Sequence, residues 1–214
     1  MLKKSNYRLM PLAAAAALLI TGCVFESDSK RDDSQAGAQP QTTPAPAPKP
    51  QPPDLSLEVN LAQRQVHVHK AGQVIASHPV AVGSAEWPTP TGEWTIGQVI
   101  FNPRWTPPKD ESWAKDEKVA EPGAPDNPLG KVQLVYSPPN SIHGTNEPSS
   151  LGKAVSHGSI RVSNEAGVEL AKMVMQAGGA GKDDAWVQNA LANKTERQEV
   201  VIPNPVTIRV VSGK

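Results

Sequence analysis

Apolar and polar residues alternate at Leu57, Val59 and Leu61, the period-two pattern of a half-buried strand. The run Gln65-Val66-His67-Val68-His69 alternates in the same way. Lys70-Ala71-Gly72-Gln73 offers a turn and Val74-Ile75-Ala76 resumes an extended run, so this stretch predicts a β-hairpin. Further strands are predicted at 80–82, 94–99, 131–135, 199–202 and 206–211, most of them separated by Gly or Pro. Helical spacing shows first at Val168, Ala171, Val174 and Met175. Ser163 or Asn164 can cap that helix, Glu165 suits its first turn, and Gly178-Gly179 ends it. A shorter helix is predicted over 184–193, with Trp186, Val187, Ala190 and Leu191 facing inward. The expectation is a mainly β domain with one or two packed helices, starting near Asp54.

The first 53 residues follow neither period. Lys3, Lys4 and Arg8 precede an apolar run from Leu9 to Ile20, the layout of a secretory signal and too short for a membrane span. Leu19-Ile20-Thr21-Gly22-Cys23 then resembles a bacterial lipoprotein signal, whose Cys is lipidated and becomes the new N-terminus. An ordinary signal peptide with an incidental Cys is the plainer alternative. Val24 after the Cys favours, by the same resemblance, the outer over the inner membrane. Pro40 to Pro53 contains seven prolines, which favours extended chain and suits a semi-rigid tether or, less readily, a ligand for a Pro-recognition module. The expected organisation is a signal over 1–22, a lipidated Cys and tether over 23–53, and one folded domain over 54–214.

Composition narrows the chemistry. Lys+Arg and Asp+Glu balance at 21 each, which argues against a nucleic-acid partner. A single Cys excludes an intramolecular disulfide framework and a Cys-rich zinc site. His67, His69 and His78 sit on or beside predicted strands without a carboxylate cluster, so they read as half-exposed strand residues rather than metal ligands.

Two His-Gly pairs remain, Ser141-Ile142-His143-Gly144-Thr145 and Ser156-His157-Gly158-Ser159-Ile160-Arg161. A His on one loop and a hydroxyl at a Gly-flanked turn on the next is what a nucleophile–base pair needs. Gly lets an acyl substrate approach the backbone, whose free N–H groups can hold an oxyanion. Arg161 adds a cation able to grip a carboxylate. The plain alternative is two turns whose histidines hydrogen-bond locally.

These motifs resemble the L,D-transpeptidase catalytic domain (YkuD-like) of bacterial cell-wall enzymes. That family has a His-Gly, a spacer, then Ser/Thr-His-Gly-Cys, an apolar residue and Arg or Asn. The likeness extends to Gly83 with Thr89-Pro90-Thr91-Gly92, to Asn102-Pro103-Arg104-Trp105, to Asn127-Pro128-Leu129-Gly130 and to Pro205-Val206-Thr207-Ile208, so it covers about residues 55 to 212. The resemblance implies a β-sandwich-like domain acting on peptidoglycan tetrapeptide stems through an acyl-enzyme, with no cofactor. It implies a general base at His143 and a nucleophile at position 159. It implies an orienting role for His157 and oxyanion or substrate contacts from Gly144, Ser156, Gly158 and Arg161. For His157 a plain structural hydrogen bond is the alternative, and for Arg161 a structural salt bridge. Trp87, Trp105 and Trp113 either line the substrate channel or pack in loops.

One position departs. Ser159 stands where the family keeps Cys, and the chain's only Cys is Cys23. A thiol near pKa 8.5 is readily ionised by a neighbouring His, whereas a hydroxyl must lose its proton during attack. Three explanations stay open: a working serine nucleophile, a natural pseudoenzyme that binds stems, or a replaced Cys. A serine hydrolase or carboxypeptidase on the same peptides is a further alternative, and an acceptor protein remains unidentified.

Overall fold

The computed structural model describes residues 53–213. The signal, Cys23 and the proline tract lie outside the described residues. Ten strands and two helices follow in chain order: β1 Leu55–Asn60, β2 Gln65–Lys70, β3 Gln73–Pro79, β4 Val82–Gly83, β5 Gly92–Phe101, β6 Val132–Ser137, β7 Asn140–His143, β8 Ala154–Ser156, β9 Ile160–Arg161, α1 Asn164–Ala177, α2 Asp184–Ala192 and β10 Gln198–Val211. Eight strands form one sheet in the order β3-β2-β1-β10-β5-β6-β7-β9, and β4 pairs with β8 apart from it. Pairing is antiparallel except for β1 with β10, β7 with β9 and β4 with β8. The domain is mainly β with two helices, as the alternating pattern predicts.

Alternation builds the core. Leu55, Leu57 and Val59 of β1 turn inward while the residues between them are half-exposed. They join Val66 and Val68, Ile96, Leu134, Ile142, Ile160 and Ile208 in one buried cluster. α1 closes that cluster with Leu170, Ala171, Val174 and Met175. Ser163, not Asn164, caps α1, accepting the Ala166 N–H at 3.0 Å, with Glu165 in the first turn. α2 buries Val187 and Ala190, and Trp186 and Leu191 pack against the core at its edge. No helix among the described residues is long and apolar enough to cross a membrane.

Three elements differ from the sequence expectation. The segments predicted at 199–202 and 206–211 are one strand, β10, with a register shift between Val201 and Val206. Pro203 and Pro205 supply no ladder N–H, and the irregularity absorbs them without ending the strand. The extended run expected at 80–82 is only β4, joined by a bridge from Ala81 to Arg161. The two His-Gly pairs, read as loops, are anchored in the sheet: β7 ends on His143 and β9 begins just after Ser159. β9, two residues long, is too short to show a period in sequence.

Candidate active site

Parallel pairing of β7 with β9 sets Ile142 beside Ile160 and His143 beside Arg161. Side chains alternate across a sheet, so Ile142 and Ile160, both 0% exposed, enter the core. Ser141, His143, Ser159 and Arg161 turn to the other face, where all four line one cleft of about 400 Å³. Ser156 and His157 line it too. Gly144 and Gly158 do not line it.

Ser159 is held from both sides. Its Oγ accepts the Ser141 N–H at 3.2 Å, and its carbonyl accepts the Ser156 hydroxyl at 2.5 Å, closing the turn. Between them Gly158 has φ +100, a backbone that side-chain-bearing residues rarely adopt, and a Cβ there would lie 3.0 Å from Asn140 Oδ1. The N–H groups of Gly158 and Ser159 find no protein acceptor among the described residues. They are available to a ligand oxygen.

His143 is 5% exposed. Its Nδ1 lies 2.7 Å from the Gly144 carbonyl, which can only accept, so Nδ1 carries the proton and Nε2 holds the free lone pair. Burial lowers its pKa from 6.5 to about 4; the Gly144 bond pulls the other way and the Arg161 charge adds to the drop. The ring is therefore neutral at physiological pH.

The pocket mouth is aromatic. His157 is exposed, with its ring stacked on Trp113 at 3.8 Å and 6° and edge-on to Trp87 at 4.5 Å. Burial and the Arg161 charge lower its pKa, against the raising effect of Glu86, Glu111 and Glu117. Trp87, Trp105 and Trp113, three of the chain's five Trp, all line the cleft. Arg161 Nη1 pairs with Glu147 Oε2 at 2.7 Å, and Arg104 Nε bonds both Glu121 oxygens at 3.0 and 3.1 Å.

Several residues that build the site carry no motif of their own. Asn164, first residue of α1, accepts the Lys131 N–H at 2.8 Å and donates to the Thr145 carbonyl at 3.0 Å. A Cβ at Gly130 or Gly144 would come within 2.2 or 2.3 Å of Asn164 Oδ1, so these glycines let one side chain tie the turn before β6 to the segment after β7. Gln133 Nε2 donates to Ser141 Oγ at 3.1 Å on the cleft wall. The alternation of Ser141 with His143 was the available signal for Ser141. Asn140, Gln133 and Asn164 had none. Gly83, in the turn noted from sequence, donates its N–H to Thr89 Oγ1 at 2.8 Å.

His67 bonds Ser77 Oγ at 2.7 Å and Gln63 Oε1 at 3.2 Å on the far side of the sheet. Among the described residues, no three His, Cys, Asp or Glu side chains gather to hold a metal ion.

The cleft thus brings together a buried neutral His, a hydroxyl held just before the adjoining strand β9, and two backbone N–H groups without a protein acceptor. The sequence matches the YkuD L,D-transpeptidase catalytic domain over residues 54–205, and the chain belongs to that family. It is 33% identical over 117 residues to the putative L,D-transpeptidase YkuD of Bacillus licheniformis, an alignment covering 54% of this chain and 58% of that one. It is 31% identical over 115 residues to the probable L,D-transpeptidase YbiS of Escherichia coli, covering 50% and 37%. The chain thus spans little more than half the length of the first of these relatives and about a third of the second. Among solved structures it is similar to L,D-transpeptidase 3 of Mycobacterium tuberculosis, with TM-score 0.45, 17% identity, and 74% and 61% of the two chains covered.

Proposed function

We propose that this protein transfers acyl groups between peptidoglycan stem peptides, with Ser159 as nucleophile and His143 as base. The observation that carries the reading is the pairing of β7 with β9, which turns His143 and Ser159 onto one cleft. Family membership supports the substrate class. His143 Nε2 takes the Ser159 proton as Oγ attacks the carbonyl before the terminal residue of a tetrapeptide stem. The N–H groups of Gly158 and Ser159 hold the oxyanion. Collapse breaks the peptide bond, His143 returns the proton to the leaving amine, and an ester on Ser159 remains. An acceptor amine, losing its proton to His143, then forms the new amide and frees Ser159. The bond from Ser141 N–H to Ser159 Oγ favours the developing alkoxide.

A second reading is favoured by the same site. An oxygen nucleophile needs a strong base, and burial leaves His143 a weak one at about 4. A domain that binds stems and seldom cleaves them fits that pairing. Serine-type hydrolysis is the case in which water replaces the acceptor amine.

Incubation with a tetrapeptide stem and a diamine acceptor separates the readings. Transfer releases the terminal amino acid and yields a tripeptide–diamine amide, both lost in Ser159→Ala. Release with only the free tripeptide acid marks the hydrolase, and binding without release marks the stem-binding domain.

For the whole chain, the reading is a lipoprotein tethered through Cys23 on the periplasmic side of the envelope, at the outer membrane. The sequence from Leu19 to Val24 supports it. Palmitate labelling that survives Cys23→Ala overturns it.

A further inference from the structure

We propose that Arg161 anchors the terminal carboxylate of the donor stem, and that Glu147 stands in for that carboxylate when the cleft is empty. The inference rests on the stem-peptide reading above.

Arg161 lines the cleft and its side chain is only 17% exposed, whereas its partner Glu147 is 70% exposed and approaches from outside the cleft. The contact is a single bond, Nη1 to Oε2 at 2.7 Å. A guanidinium holds a carboxylate best through two parallel bonds, so its remaining N–H groups can receive a second, better-placed carboxylate. Glu147 is the exposed partner of the pair, and an incoming carboxylate replaces its charge on Arg161, so the exchange leaves no buried charge unpaired.

The backbone around Glu147 allows that exchange without unravelling. Its N–H donates to Thr145 Oγ1 at 3.0 Å, and its carbonyl accepts from Ser150 Oγ at 2.7 Å and Ser150 N at 3.0 Å. These bonds fix the turn and leave the side chain free to swing. The spacing also matches the substrate. Ser159, just before β9, and Arg161, within it, face the same cleft two residues apart, about 7 Å along extended chain. In a peptide attacked at the carbonyl before its last residue, the terminal carboxylate lies one residue from the reacting carbon, within reach of an Arg side chain. Arg161 thereby sets selectivity, rejecting donors that lack a free carboxylate, and Glu147 weakens all carboxylate ligands by competition.

The test measures binding, which does not require chemistry at 159. Calorimetry on the full chain, and on Glu147→Gln and Glu147→Ala, compares an N-acetylated tetrapeptide stem bearing a free terminal carboxylate with its C-terminal amide. The unaltered chain is expected to prefer the acid about tenfold, and both variants to bind the acid about threefold tighter with the amide unchanged. An unchanged Kd for the acid in both variants overturns the competition, and equal tightening of acid and amide shows only a loosened loop. If the Kd pattern holds but no acyl transfer occurs, the transferase reading fails and this one stands. If neither peptide binds any of the three proteins, both fail.

Discussion

A serine at position 159 changes what His143 must do. With a thiol, proton transfer precedes attack and a weakly basic neutral imidazole suffices, because the ion pair stabilises itself. With a hydroxyl, the proton must leave during attack, so the pKa of about 4 at His143 becomes a handicap. Ser159→Cys is therefore expected to accelerate acylation by about 10²-fold or more, read as the rate of D-amino-acid release. His143→Gln in that background is expected to remove most of the gain. The same histidine gives a pH prediction. Its folded pKa lies below its ordinary value of 6.5, so between 6.5 and about 4 the unfolded chain binds more protons and stability falls as pH falls. Above 6.5 both states are neutral and the effect vanishes. At the acid end it amounts to about 3 kcal/mol, from 1.36 kcal/mol per pKa unit. Unfolding free energies from urea melts at pH 7.5 and 4.5 check it: their difference is expected to shrink by about 2–3 kcal/mol in His143→Gln.

Elements place these residues through contacts that the sequence hides. Asn102 follows β5 with φ 50 and sends one amide to the carbonyls of Ala190, Asn193 and Glu196, tying the end of α2 to the sheet. It is 3% exposed, so Asn102→Ala leaves buried carbonyls without their donor and is expected to cost about 3 kcal/mol in denaturant melts, with cleft chemistry retained. Gly83 is different, because a Cβ there would sit 2.2 Å from the Trp87 carbonyl oxygen and 2.4 Å from the Thr89 nitrogen. Gly83→Ala is expected to destabilise the domain by about 2–3 kcal/mol and also to weaken stem binding, since Trp87 lines the cleft. A melt without a binding change counts against that coupling.

At the scale of the whole molecule, what the sequence made legible was what repeats or what is chemically rare. The alternation of Leu57 and Val59 and the spacing of Ala171, Val174 and Met175 report burial period by period and fall in β1 and α1, while Leu61 sits just past β1 and Val168 is only partly buried. The two His-Gly runs stood out by composition, and His143, Ser156, His157, Ser159 and Arg161 do converge on one cleft. What was hidden is long-range. β7 and β9 are four and two residues long and acquire strand character from each other, from β6 and from the Ala81 bridge. The Trp113–His157 stack and the Glu147–Arg161 pair join residues 44 and 14 positions apart, and nothing local in the sequence encodes them. The organisation proposed for the chain also yields a prediction. Residues 54–214 carry the sheet and both helices, so that fragment is expected to melt within about 2 °C of the full chain. A larger loss gives the first 53 residues a role in the fold.

The most direct test is the mass of the intact protein after incubation with an acylating β-lactam or a tetrapeptide stem. The account predicts an acyl adduct mapped to residue 159, slow in the unaltered chain, fast in Ser159→Cys and absent in Ser159→Ala. An adduct in neither the unaltered chain nor Ser159→Cys, or one that persists in Ser159→Ala, would contradict it.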